Sequence, residues 1–247
     1  MKTWKMIVVS TLVTLAIGGV YLFSVWKHRQ NPGVVPQSDA SQKLSDDDLA
    51  VVRSFFPAHF DDLQRLEGTS VWMRNGYTIP YYPYVGGHVE FAKQVGVIPA
   101  AERLDVKKIV KAAAPAAVVD GIEHRSRQAF VVFALPGNPE LFAVAVGSMD
   151  SQLESYFTDL LFYYDDPHTI YSHWPRDVWA SIDAHQVKQG MSELQTRMAI
   201  GQNMHPDGDK EGDRTVRYEQ GGNEWTITYV KNRATTIETK AKSNQDA

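Results

Sequence analysis

The sequence contains no cysteine. That excludes a thiolate nucleophile, a Cys-ligated zinc, an iron–sulfur cluster, a disulfide framework and a lipidated N-terminal cysteine. The sequence also lacks the G-x-S-x-G nucleophile elbow, the P-loop and the dinucleotide-binding glycine pattern. Basic charge is scarce in most of the chain. Four of the 25 Lys and Arg residues (Lys2, Lys5, Lys27 and Arg29) and none of the 29 acidic residues fall within residues 1–29. The remainder holds 21 basic against 29 acidic residues, a net −8. An acidic body is a poor electrostatic match for nucleic acid or for an anionic membrane surface. What is present is 247 residues at 43% apolar, enough for one large domain or two small ones with their own cores.

Residues 6–26 carry no charge, and Lys5 and Lys27 bound them. As an α-helix, 21 such residues span roughly 30 Å, the thickness of a hydrocarbon core. Trp4, Tyr21 and Trp26 lie near the ends, where amphipathic aromatics prefer the interface. The expectation for residues 1–29 is a transmembrane signal-anchor in the cytoplasmic (inner) membrane, with the body extracytoplasmic. The alternative is a signal cleaved near Ala16-Ile17-Gly18, giving a secreted protein. Apolar residues continue past that point as Val20-Tyr21-Leu22-Phe23, which favours the anchor.

Residues 30–44 are rich in Pro, Gly, Ser, Asn and Gln and read as a flexible linker. Residues 45–186 read as an α+β domain, with a mostly antiparallel sheet or small open barrel and flanking helices. Ser45 followed by Asp46-Asp47-Asp48 predicts a helix start. Leu49, Val52, Phe55, Phe60, Leu63 and Leu66 continue a helical period across Pro57. Asn75-Gly76 predicts a hairpin turn between strands at 70–74 and 77–79, and His88 to Phe91 reads as a short strand. Residues 104–114 fit a helix and a strand about equally. Strands at 128–135 and 141–146 flank the turn Pro136-Gly137-Asn138-Pro139. Residues 156–164 read as a further strand, and an amphipathic helix follows Pro175.

From Val187 the pattern changes. Val187-x-x-Gly190-Met191-Ser192 leads into a helix carrying Leu194 and Met198 and ending at Gly201. A polar loop over 202–213 then precedes strands at 215–219, 224–230 and 234–239. Residues 241–247 read as a frayed tail. The Val-x-x-Gly-Met entry, the helix ending in Gly and the closing Tyr229 to Thr235 turn resemble the BamE/SmpA/OmlA type of small envelope domain. The resemblance covers about residues 187–240. It implies a helix plus three-stranded interaction subdomain without catalytic residues. The chain departs from that type in lacking the lipidated cysteine and in carrying a large preceding unit. Residues 45–186 resemble no family with a known activity.

Two residue sets are candidate sites. Tyr77, Tyr81, Tyr82 and Tyr84 crowd a proline-containing stretch and could form a partner-binding aromatic platform. Their bland alternative is packing over the open end of the sheet. Asp165, Asp166, His168, His173, Asp183 and His185 are the one metal-like cluster, since imidazole and carboxylate suit zinc or manganese. The bland alternative there is turn and capping chemistry. The expectation is therefore a membrane-anchored, extracytoplasmic, non-enzymatic envelope module. It binds another protein or a cell-wall component, needs no cofactor or metal and binds no nucleic acid. The alternative is an extracytoplasmic hydrolase or metal-dependent enzyme using Asp165, His168 and His173.

Overall fold

The computed structural model describes residues 18–27, 45–74, 76–115, 126–150, 153–220 and 222–241. The chain divides into two compact units, residues 1–49 and 50–247. In the first, helix α1 is described over residues 18–27, with exposed side chains. Among the described residues no helix is long and apolar enough to cross a membrane. The expected transmembrane helix is corrected accordingly; residues 1–17, with most of the expected cleavage site, lie outside the described residues. So do the whole of the expected linker, residues 30–44, and residues 242–247 of the tail. At Ser45 the expected helix is a single turn. Asp48 N–H donates to Ser45 Oγ at 3.2 Å, and Ser45 N–H donates to Asp48 Oδ2 at 2.9 Å.

The second unit is mostly antiparallel sheet with few helices, which corrects the α+β expectation. Nine strands form the larger sheet: β1 Ser70–Met73, β2 Pro80–Val85, β3 His88–Val89, β4 Gly96–Val97, β5 Arg103–Ala113, β6 Arg127–Ala134, β7 Leu141–Asp150, β8 Leu153–Tyr156 and β9 Phe162–Tyr163. The order along the sheet is β3-β2-β7-β6-β5-β1-β9, with β4 on β2 and β8 on β7. Helix α2 (Phe60–Leu63) and a 3-10 turn (Gln64–Leu66) are what remains of the helical period at 49–66. Helix α3 (Thr158–Leu161) interrupts the strand expected over 156–164.

Strands β6 and β7 are apolar on both faces, and each face has its own core. Val131, Phe133, Phe142, Val144 and Val146 pack with Leu63 and Leu66 on one side. Phe130, Val132, Ala143 and Ala145 pack with Tyr82 on the other. The ambiguity at 104–114 has a physical cause. The segment is β5, and its register shifts between Val106 and Lys108. The extra residue changes the inward spacing from two (Leu104, Val106) to three (Ile109), which mimics a helical period. The Asn-Gly hairpin is also corrected, although Asn75 itself lies outside the described residues. β1 pairs with β5 and β9, not with residues 77–79, so long-range partners override the local turn signal.

Helices α4 (Pro167–Ile170), α5 (Arg176–Asp183) and α6 (Glu193–Ile200) lead to a four-stranded sheet. Its strands run in chain order: β10 Asn203–Asp207, β11 Thr215–Gln220, β12 Asn223–Val230 and β13 Arg233–Ala241. The expected three-stranded meander gains β10 from the stretch read as a loop. α6 begins with a capping box: Gln195 N–H donates to Ser192 Oγ at 3.2 Å, and Ser192 N–H donates to Gln195 Oε1 at 2.9 Å. One core joins Tyr163, Trp174, Trp179 and Ile182 to Met198, Ile200, Tyr218, Ile227 and Tyr229. It therefore draws side chains from both sides of position 187.

Candidate functional site

The four tyrosines divide between the two faces of the larger sheet, because successive residues of a strand point opposite ways. Tyr77 and Tyr81 pack, partly buried, against the first core. Tyr81 meets Phe142 edge-on at 5.3 Å and Phe133 at 6.1 Å between ring centroids. Tyr82 is fully buried against Phe91 on the other face, with Tyr84 partly buried beside the same cluster. The rings therefore do not make one flat platform.

Tyr81 nevertheless lines a cleft of about 740 Å³, larger than the one beside His168. One wall comes from the larger sheet: Thr78, Tyr81 and the run Val95 to Val97 that contains β4. The other comes from the smaller sheet: Glu219 and Gln220 at the end of β11, Asn223 and Glu224 at the start of β12, and Lys240 on β13. Val95 and Val97 are 47% and 39% exposed. The floor is fixed by Gln202, which is buried. Its amide donates to Ile98 O at 2.7 Å, and its Oε1 accepts from Gly76 N–H at 3.1 Å. Gln202 thus ties the two sheets together beneath the cleft.

The smaller cleft, about 310 Å³, holds part of the histidine–carboxylate set. Asp166 caps α4, accepting from His168 N–H at 2.9 Å, and also meets His168 Nδ1 at 2.9 Å. His168 Nε2 lies 3.1 Å from Asp183 Oδ1, on the last residue of α5. The ring stacks on Trp179 at 4.0 Å. Both ring nitrogens are therefore held by carboxylates, and neither is left over for a substrate proton. His185 sits just beyond α5 with φ +51°, a left-handed position that histidine tolerates better than most residues. Its Nδ1 meets Ala199 O at 3.2 Å. A carbonyl only accepts, so Nδ1 carries the proton and Nε2 faces Glu102, 3.9 Å away. Burial raises the Glu102 carboxyl above the usual carboxylate range, against the opposing charge of His185.

The three residues of the enzymatic alternative do not meet. Asp165 pairs with Arg53 at 3.1 Å. His168 joins Asp166 and Asp183. The His173 ring lies against Tyr171 and Trp174, at 6.3 and 6.1 Å. Among the described residues no group of three or more His, Asp or Glu side chains could hold a metal ion. Glu102 and the cleft residues at 219–224 went unread in the sequence, since no local spacing marks them.

No family model, curated protein or solved structure matches the chain. The geometry of the two clefts therefore carries the functional argument alone.

Proposed function

We infer that the chain is a non-enzymatic binding module and that it engages a protein partner through the larger cleft. The observation that carries this reading is the pair of exposed valines, Val95 and Val97, set beside Tyr81 in a 740 Å³ cleft between two sheets. Exposed apolar side chains rimmed by polar ones are the composition of an interaction surface. The volume also falls within the range of pre-formed binding sites. The resemblance of residues 187–240 to envelope interaction domains supports the same reading.

The test is site-specific photo-crosslinking in producing cells. A photo-reactive residue at Val97 or Asn223 is expected to give a discrete adduct, and one at exposed Lys93 is not. Equal labelling at all three positions, or none at Val97 and Asn223, would overturn the reading.

A second reading rests on the smaller cleft. His185 Nε2 facing the raised carboxyl of Glu102 has the composition of an acid–base pair. If that pair is catalytic, any hydrolytic activity of the purified chain on ester or amide substrates disappears in Glu102→Gln. Activity that survives the substitution removes the pair from consideration.

A further inference from the structure

We propose that the larger cleft takes an extended peptide carrying alternating apolar and basic residues, added as a strand along the outer edge of β4. This rests on the binding-module reading and specifies its ligand.

Three features of the cleft select this chemistry. First, β4 has a strand partner on one side only, β2, among the described residues, through Pro80↔Val97 and Tyr81↔Gly96. An edge strand offers unpaired backbone donors and acceptors to another extended segment. β4 carries no lysine or proline to block such pairing. Second, Val95 and Val97 are two residues apart, so they share one face of the chain and both line the cleft. An added strand places every second side chain beside them on that face, which selects apolar residues at alternate positions. Third, the opposite wall is rich in acceptors. Glu219 and Glu224 supply carboxylates, and Lys240, in register with Glu224, is the one cation among the lining residues. His205 and Arg217 reach Glu219 only at 3.8 and 3.7 Å, which leaves it open to a closer partner. The Gln220 side-chain oxygen is buried and accepts no hydrogen bond. A modest rotation of its carboxamide presents it to a donor. Lysine or arginine at the intervening positions supplies donors to this wall. The net −8 of the chain beyond residue 29 draws such a ligand in.

Fluorescence anisotropy of the full chain tests this with two labelled hexapeptides, one alternating lysine with valine and one alternating glutamate with valine. The lysine–valine peptide is expected to bind saturably and the glutamate–valine peptide not to bind. The Glu219→Gln/Glu224→Gln double variant alters only side chains on the cleft wall, and about tenfold weaker binding is expected of it. Val97→Asp is expected to abolish binding while leaving the thermal transition in place. Equal binding of the two peptides overturns the proposal, as does parental affinity in both variants. Displacement by an N-acetylglucosamine hexamer in place of unlabelled peptide also overturns it. If these fail while Val97 still crosslinks in cells, the ligand class is wrong and the binding module stands. If the crosslink is also absent, both fall.

Discussion

Glu193 is the one fully buried charged side chain among the described residues. Its carboxylate accepts from Arg214 Nη2 at 2.6 Å and from Gly212 N–H at 2.8 Å, so it pins the 208–214 loop to the start of α6. Removing one member of such a pair leaves the other charge uncompensated. Glu193→Gln is expected to lower the unfolding free energy by about 3–5 kcal/mol in urea titration. A loss near zero would mean that the ion pair is not sequestered from water. Glu102 gives a pH prediction. Its folded carboxyl is raised above the ordinary 4.5, so the folded chain holds that proton more tightly than the unfolded chain. The carboxylate imposes no penalty below the unfolded value. The penalty grows as pH rises from about 4.5 through the raised value and is complete above it. Glu102→Gln is expected to be more stable than the parent at neutral pH and equal to it at pH 4. Greater stability of the parent at neutral pH would show that the His185 pairing outweighs burial.

At the scale of elements, local chemistry was legible where it was self-sufficient. The β6–β7 hairpin lies where two apolar runs flank Pro136 to Pro139, and α6 starts at the serine whose hydroxyl caps it. Ser192→Ala is expected to cost about 1 kcal/mol in thermal or urea unfolding, and no change would show the cap to be replaceable. Local chemistry misled where a distant partner decided the outcome. β1 pairs across the chain with β5 and β9, which no turn signal encodes. The bulge in β5 disguised a strand as a possible helix. β7 and β8 approach so closely that Gly147 has no room for a side chain. A Cβ there would lie 2.4 Å from Tyr156 Cδ1 and 2.6 Å from Ser155 O. Gly147→Ala is therefore expected to destabilise the protein or displace β8, visible as faster hydrogen exchange across 153–156. Unchanged exchange and stability would contradict that packing.

At the scale of the whole molecule, the core that joins Trp179 and Ile182 to Tyr218 and Tyr229 ties residues 50–247 into one unit. These residues are expected to unfold in a single calorimetric transition, and two separable transitions would contradict it. The same long-range assembly explains why the site was only partly legible. Tyr81 stood out as an aromatic beside prolines. Its partners in the cleft come from β4 and from the β11–β12 junction, and only the fold brings those segments together. The histidine set was visible as a composition, but Asp165, His168 and His173 separate into three environments. The central claim, that the protein acts by binding at the larger cleft and not by chemistry at the smaller one, is tested most directly by Val97 crosslinking in two backgrounds. The adduct is expected to weaken in Glu219→Gln/Glu224→Gln and to be kept in Glu102→Gln; loss in Glu102→Gln with retention in the double variant would contradict it.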